Sequence, residues 1–244
     1  MLTVLQAINL SEEYLKKKGI ESARINAELL LADLLKCKRL DLYLSFDRPL
    51  SEEEKAQYRS FLARRGEKEP LQYILGHSEF FGLDFKVNRS VLIPRPETEI
   101  LVETIIKDHN PEDSLRILDI GTGSGNIAIS LAKNLLKSKV IAIDISEEAI
   151  ELAGDNAKLN EAEDRTEFVN FNIETGNLNV LGVDFDIVVS NPPYVALDEF
   201  ENLQQEIKYF EPKTAVTDFE EGFKFYRIIA KLAPDILKTG GSLY

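Results

Sequence analysis

In the first third of the chain, apolar residues recur at helical spacing. Val4, Leu5, Ile8 and Leu15 form a run that stops at Gly19; SARINAELLLADLLKC is an amphipathic stretch; SEEEKAQYRSFLARRG lies between a capping Ser51 and Gly66. This spacing predicts a small helical bundle over residues 1–72. From Pro70 the texture changes. LQYILGHSEFFGLDFKVNRSVLI is rich in aromatic and β-branched residues with turn signals at Gly76 and Gly82, which predicts a hairpin linker over residues 73–93. PRPETEILVETIIKDH then predicts a helix, with Pro96 in its first turn and Glu97 and Glu99 where the helix N-terminus favours acids.

Beyond it, strands predicted at 115–120, 139–143, 167–171 and 185–190 alternate with helices at 125–136, 147–159 and about 222–237. Strands that are apolar throughout and separated by helices must be covered on both faces. The expectation is an α/β fold, with a Rossmann-like parallel sheet over residues 94–244. The final GGSLY opens another strand, and a sheet ending there keeps an unpaired edge, so C-terminal strands are expected to be missing.

Composition narrows the chemistry. The chain has 244 residues, 44% hydrophobic and 29% charged, enough for one large domain and a smaller one. Cys37 is the lone cysteine, and His77 and His109 are far apart, so neither a disulfide framework nor a zinc site is expected. No signal peptide or membrane-length apolar run occurs, and a cytoplasmic protein is expected. The Lys16–Lys18 and Glu52–Glu54 runs are read as solvated helix faces. The net charge of −13 is uneven: residues 1–90 carry about +1 and the rest −14. An acidic second half repels phosphate backbones and disfavours nucleic acid as a partner.

Two motifs lie at predicted strand ends. Asp119-Ile120-Gly121-Thr122-Gly123-Ser124-Gly125 sits between a strand and a helix, where glycines let backbone approach a ligand. Asn126 stands where the dinucleotide fingerprint requires glycine or alanine, which counts against a pyrophosphate ligand and an NAD-dependent oxidoreductase. Asp144 ends the next strand, 23 residues after Gly121, placed to accept both hydroxyls of a ribose. Together they suit an adenosine ligand with an amino acid at its other end, with Asp119 orienting the loop or an ammonium group. The pattern resembles the S-adenosylmethionine-dependent methyltransferases.

The second motif is VVSNPPY. Asn191 follows a buried strand, and the double proline leaves a stiff turn whose carbonyls point outward. The Asn191 side-chain oxygen and the Pro192 carbonyl are two acceptors for the two donors of a planar NH2 group, and the Tyr194 ring can pack on a flat amide or base. An amide nitrogen is too weak an acid for a side-chain base to help. Holding its N–H groups on carbonyls instead stabilises the positive charge that develops during attack on a methyl group. Adenine N6, cytosine N4 and a glutamine side chain all fit. A non-catalytic nucleotide-binding module is the reading that Asn191 and Tyr194 argue against.

The rest of the chain resembles the HemK-type protein glutamine methyltransferases. The resemblance is carried by ARINAELLLADLL, EPLQYILGHSEFFGLDF, the linker LIPRPETEILVE, LDIGTGSGNIAISLA, VIAIDIS, VVSNPPY and Phe210-Glu211-Pro212. It implies a class I methyltransferase sheet that uses S-adenosylmethionine to methylate the glutamine of the Gly-Gly-Gln motif of peptide chain release factors. It also implies that Asp119, Gly121, Thr122, Gly123, Ser124, Gly125 and Asp144 bind the cofactor, with Ile173 beside the adenine. Asn191 would touch both cofactor and substrate, and Asn191, Pro192, Pro193 and Tyr194 would grip the amide. Pro94, Arg95 and Pro96 would shape one wall, and the N-terminal helices would help recognise the release factor. Asn172 stands where the family commonly has aspartate. An adenine-N6 methyltransferase acting on DNA or RNA is the alternative.

Overall fold

The computed structural model of the chain describes residues 2–244, apart from the side chains of residues 178 and 179. The helical part comprises α1 (Val4–Lys17), α2 (Ala23–Leu34), α3 (Asp41–Leu44), α4 (Glu52–Gly66) and α5 (Leu71–Leu75). The remainder runs through β1 (His77–Phe80), β2 (Leu83–Lys86), α6 (Pro96–Asp108), β3 (Arg116–Ile120), α7 (Asn126–Asn134), β4 (Lys139–Asp144), α8 (Glu147–Leu159), β5 (Thr166–Asn170) and β6 (Phe185–Ser190). It closes with α9 (Leu197–Phe200), α10 (Gln205–Phe210), α11 (Lys213–Val216), α12 (Lys224–Ile236) and β7 (Leu237–Leu243). Two compact units result: Met1–Gly76 with Gln205–Phe210, and His77–Gln204 with Glu211–Tyr244.

The helices of the first unit bury apolar residues against one another, and α1 and α4 are also capped. Thr3 and Gln6 form a reciprocal capping box on α1, and Ser51 and Glu54 do the same on α4. Leu15, Leu30, Leu31 and Leu42 meet in the core. α10 lies 130 residues further along the chain, yet belongs to this unit. Buried Arg65 donates to Asn26 Oδ1 at 2.7 Å, to the Glu69 carbonyl at 3.0 Å and to Glu206 Oε1 of α10 at 2.8 Å.

The second unit holds a five-stranded parallel sheet, ordered β5-β4-β3-β6-β7. Strand side chains alternate between faces. Ile117, Val140 and Ile187 therefore pack under α6 and α7, whereas Leu118, Ile143 and Val188 pack on the other face with Ile229 and Ile236 of α12. The β1–β2 hairpin turns through Phe81 and Gly82, both with positive φ, the primed geometry that suits a two-residue turn. Asn156 of α8 ties the hairpin to the loop after β3. Its amide accepts from the Lys86 N–H at 2.7 Å and donates to the carbonyls of Lys86 and Ser124 at 3.0 and 2.9 Å.

From β3 the chain moves outward to β4 and β5, then returns to place β6 on the other side of β3. This reversal leaves a crevice at the carboxyl ends of β3 and β6, where parallel sheets hold ligands. GGSLY does join the sheet, with β7 parallel to β6.

Candidate active site

A cavity opens at that crevice. Its walls are the linker before α6, the loops after β3, β4, β5 and β6, the Pro212–Ala215 segment, and Phe225 and Ile229 of α12. The loop after β3 is pinned by its own backbone. The Gly121 and Thr122 N–H groups both donate to the Ile143 carbonyl, at 2.8 and 3.0 Å, and the Gly123 N–H donates to Asp144 Oδ2 at 2.8 Å. Gly121 and Gly123 have φ of +75° and +54°, and a Cβ on either would stand in open space. This is a backbone cradle with room for a ligand.

Gly125 does something else. With φ +81° it starts α7, and a Cβ there would meet Ile129 at 3.0 Å and Ala153 at 3.1 Å. It allows helix packing and is not on the cavity wall.

The acids also divide. Asp144 lines the cavity; besides Gly123, it accepts from the Ser146 N–H at 3.0 Å through Oδ1 and from the Ile145 backbone, which leaves the carboxylate spare acceptor capacity. Burial pushes its carboxyl up, against those backbone donors. Asp119 is fully buried on the α6/α7 face of β3, one residue out of phase with the cavity side, and does not line this cavity. Its Oδ2 accepts from the Thr122 hydroxyl at 2.6 Å, while Oδ1 has no hydrogen-bond partner among the described residues. Burial pushes Asp119 up to about 7, with the Thr122 hydroxyl opposing and the nearby Asp144 reinforcing.

At the end of β6, the Ser190 hydroxyl donates to the Ile120 carbonyl at 2.7 Å, fixing this strand end against the loop after β3. Asn191, Pro192 and Pro193 follow on the cavity wall. The Asn191 side-chain NH2 donates to the Thr98 hydroxyl of α6 at 3.1 Å. Tyr194 is turned outward: its side chain is largely exposed, and its carbonyl lies against Gly222, where a Cβ would approach to 2.5 Å. Exposed Phe223 and Tyr226 carry the aromatic surface onward from there.

Of the expected site residues, Gly121, Thr122, Gly123, Ser124, Asp144, Ile173, Asn191, Pro192 and Pro193 share one wall, while Asp119, Gly125 and Tyr194 lie off it. Pro94 and Arg95 line the cavity, and Pro96 instead begins α6. Asn172 lines it too, its Oδ1 already accepting the Glu174 N–H at 2.8 Å. Sequence reasoning missed Thr98, Phe171, Pro212 and Phe225. Thr98 and Pro212 lie inside motifs it had noticed, whereas the two phenylalanines carry no local signal. Arg95 donates to buried Glu211 at 2.5 Å, which brings the PRPETE linker against a residue of the Phe210-Glu211-Pro212 motif. Among the described residues no group of metal-ligating side chains occurs, and no helix is long and apolar enough to cross a membrane.

Residues 6–76 match the PrmC N-terminal domain and residues 96–208 the methyltransferase small domain. The release factor glutamine methyltransferase of Fusobacterium nucleatum is 46% identical over 242 residues, covering 98% of this chain and 67% of that protein. That of Geobacter sulfurreducens is 42% identical over 243 residues, covering 99% and 82%. The chain belongs to the release factor glutamine methyltransferase family. A solved S-adenosylmethionine-dependent methyltransferase from Agrobacterium tumefaciens aligns at 16% identity and a TM-score of 0.47, over 68% of this chain and 50% of that one.

The family member described here is accordingly an S-adenosylmethionine-dependent methyltransferase. The cavity fits that cofactor: an open glycine cradle, a carboxylate with spare acceptor capacity, and apolar Phe171 and Ile173 beside it.

Proposed function

We propose that this enzyme methylates the side-chain amide nitrogen of the glutamine in the Gly-Gly-Gln motif of peptide chain release factors, in the cytoplasm. The observation that carries this reading is that Asn191 and Pro192, which offer a side-chain and a backbone carbonyl, lie at the end of β6 on the same wall as the glycine cradle. The curated relatives are named for release factor glutamine methylation.

In this reading Gly121, Gly123 and Asp144 hold the cofactor, with Ile173 against its base. The bound cofactor supplies an electrophilic methyl group on a sulfonium sulfur. The chain's own part is to bind and orient. Asn191 and Pro192 accept the two N–H bonds of the substrate amide, direct the nitrogen lone pair toward the cofactor side and stabilise the charge that builds on nitrogen. No side-chain base is required, since the amide proton becomes acidic only as the new bond forms and then passes to water. The N-terminal helical unit serves to recognise the body of the release factor.

The test is methyl transfer from labelled cofactor to a release factor and to its motif Gln→Ala variant, read by mass spectrometry. The expected result is one methyl group on that glutamine and none in the variant. Label appearing in DNA or RNA instead would transfer the site to adenine-N6 chemistry. Asn191→Ala is expected to lower the rate by roughly a hundredfold or more, as loss of a transition-state acceptor does.

A further inference from the structure

We propose that Thr98 is a positioning residue that holds the Asn191 amide in place with its oxygen end free for the substrate. The inference rests on the role given to Asn191 above. An asparagine amide has an acceptor at one end and two donors at the other, and a half-turn exchanges them with little change of shape. Only one orientation serves a substrate NH2 group, because the other would set donor against donor.

The structure shows the productive orientation, with Thr98 as the group that holds it. Asn191 Nδ2 donates to Thr98 Oγ1 at 3.1 Å, which leaves Oδ1 as the free end of the amide. Thr98 is only 7% exposed, lines the same cavity and is β-branched, so its hydroxyl has few positions to occupy. Its backbone is held equally firmly. The Thr98 N–H donates to the Arg95 carbonyl at 3.0 Å, Arg95 is paired with Glu211, and neighbouring Glu99 accepts the Phe81 N–H at 2.8 Å. The linker thus presents a firmly placed hydroxyl to a side chain 93 residues away in sequence. This gives the threonine of PRPETE a task distinct from shaping a wall.

The experiment compares Thr98→Val, Thr98→Ser and Asn191→Ala in the whole chain, measuring kcat and KM with release factor, cofactor Kd by calorimetry, and Tm. Thr98→Val removes the hydroxyl and keeps the shape. It is expected to lower kcat by roughly ten- to a hundredfold, with cofactor Kd within about threefold of the parent. Thr98→Ser keeps the hydroxyl, and kcat is expected to return to within about threefold of the parent. Thr98→Ala, which cannot clash, replaces the valine variant if that one fails to fold. A kcat within about twofold of the parent for Thr98→Val, beside an inactive Asn191→Ala, overturns the proposal and leaves the Asn191 reading standing. A serine variant as impaired as valine also overturns it, since the methyl group would then be what matters. Full activity of Asn191→Ala overturns the Asn191 reading itself, and this proposal with it.

Discussion

Asp119 and the glycines show how one residue type serves different ends within a few positions. Asp119 is held near pKa 7 by burial, well above the usual carboxylate range, so the folded protein keeps a proton there that the unfolded chain releases near pH 4. The folded state binds more protons between those values, and this group's stabilising contribution, complete below about pH 4, is lost as pH rises through about 7. Asp119→Asn keeps an acceptor for Thr122 and removes the titration. Its denaturant-measured stability is expected to fall less steeply than the parent's between pH 4 and 7, by on the order of 2–4 kcal/mol in total. Equal slopes would show that Asp119 is ionised throughout. Gly123→Ala and Gly125→Ala should separate in a complementary way. Alanine at 123 projects into the cradle, and cofactor affinity is expected to drop about tenfold or more, with a stability cost of about 1–2 kcal/mol from the positive φ. Alanine at 125 presses on Ile129 and Ala153, so its larger effect is expected on Tm, with about 2–4 kcal/mol lost.

At the scale of elements, what was legible depended on how far each residue's partners lie along the chain. Strands β3, β4 and β6 announced themselves as apolar runs, since a strand buried on both faces has no polar side to disguise it. The strand predicted at 167–171 is found at Thr166–Asn170, and the helix predicted to begin near 222 begins at Lys224, after Asp218 accepts the Lys224 N–H at 2.9 Å. The short helices α9, α10 and α11 were not foreseen. Each has six residues or fewer, too short to show a period, and they are stabilised by where they dock. Glu206 of α10 meeting buried Arg65 is such a contact. Likewise Gly125 looked like its two neighbours in the loop, and only the proximity of Ile129 and Ala153 separates its task from theirs.

For the whole molecule, each unit has a hydrophobic core of its own, one built from helices and one around the sheet. Leu30→Ala and Ile117→Ala each empty a fully buried site, at an expected cost of about 2–5 kcal/mol to the unit that contains it. Calorimetry should show the first lowering the transition of the helical unit and the second that of the sheet unit, as multi-unit chains depart from a single transition. Identical shifts of one shared transition would mean that the two cores unfold as one. The charge asymmetry belongs to this scale as well. The excess of acids after residue 90 is a property of the catalytic half, and it accords with a protein amide as substrate over a phosphate backbone.

The sequence by itself determined the alternation of strands and helices, the glycine cradle after β3, the acid ending β4 and the NPPY turn ending β6, because each is written in consecutive residues and follows from local geometry. Tertiary structure alone decided that Asp119 is sealed beneath the loop, that Tyr194 turns outward past its two prolines, and that the Thr98 hydroxyl meets the Asn191 amide. Those outcomes depend on which strand lies beside which and on the face a side chain takes. The parallel order β5-β4-β3-β6-β7 supplies that information, and no short stretch of the chain contains it.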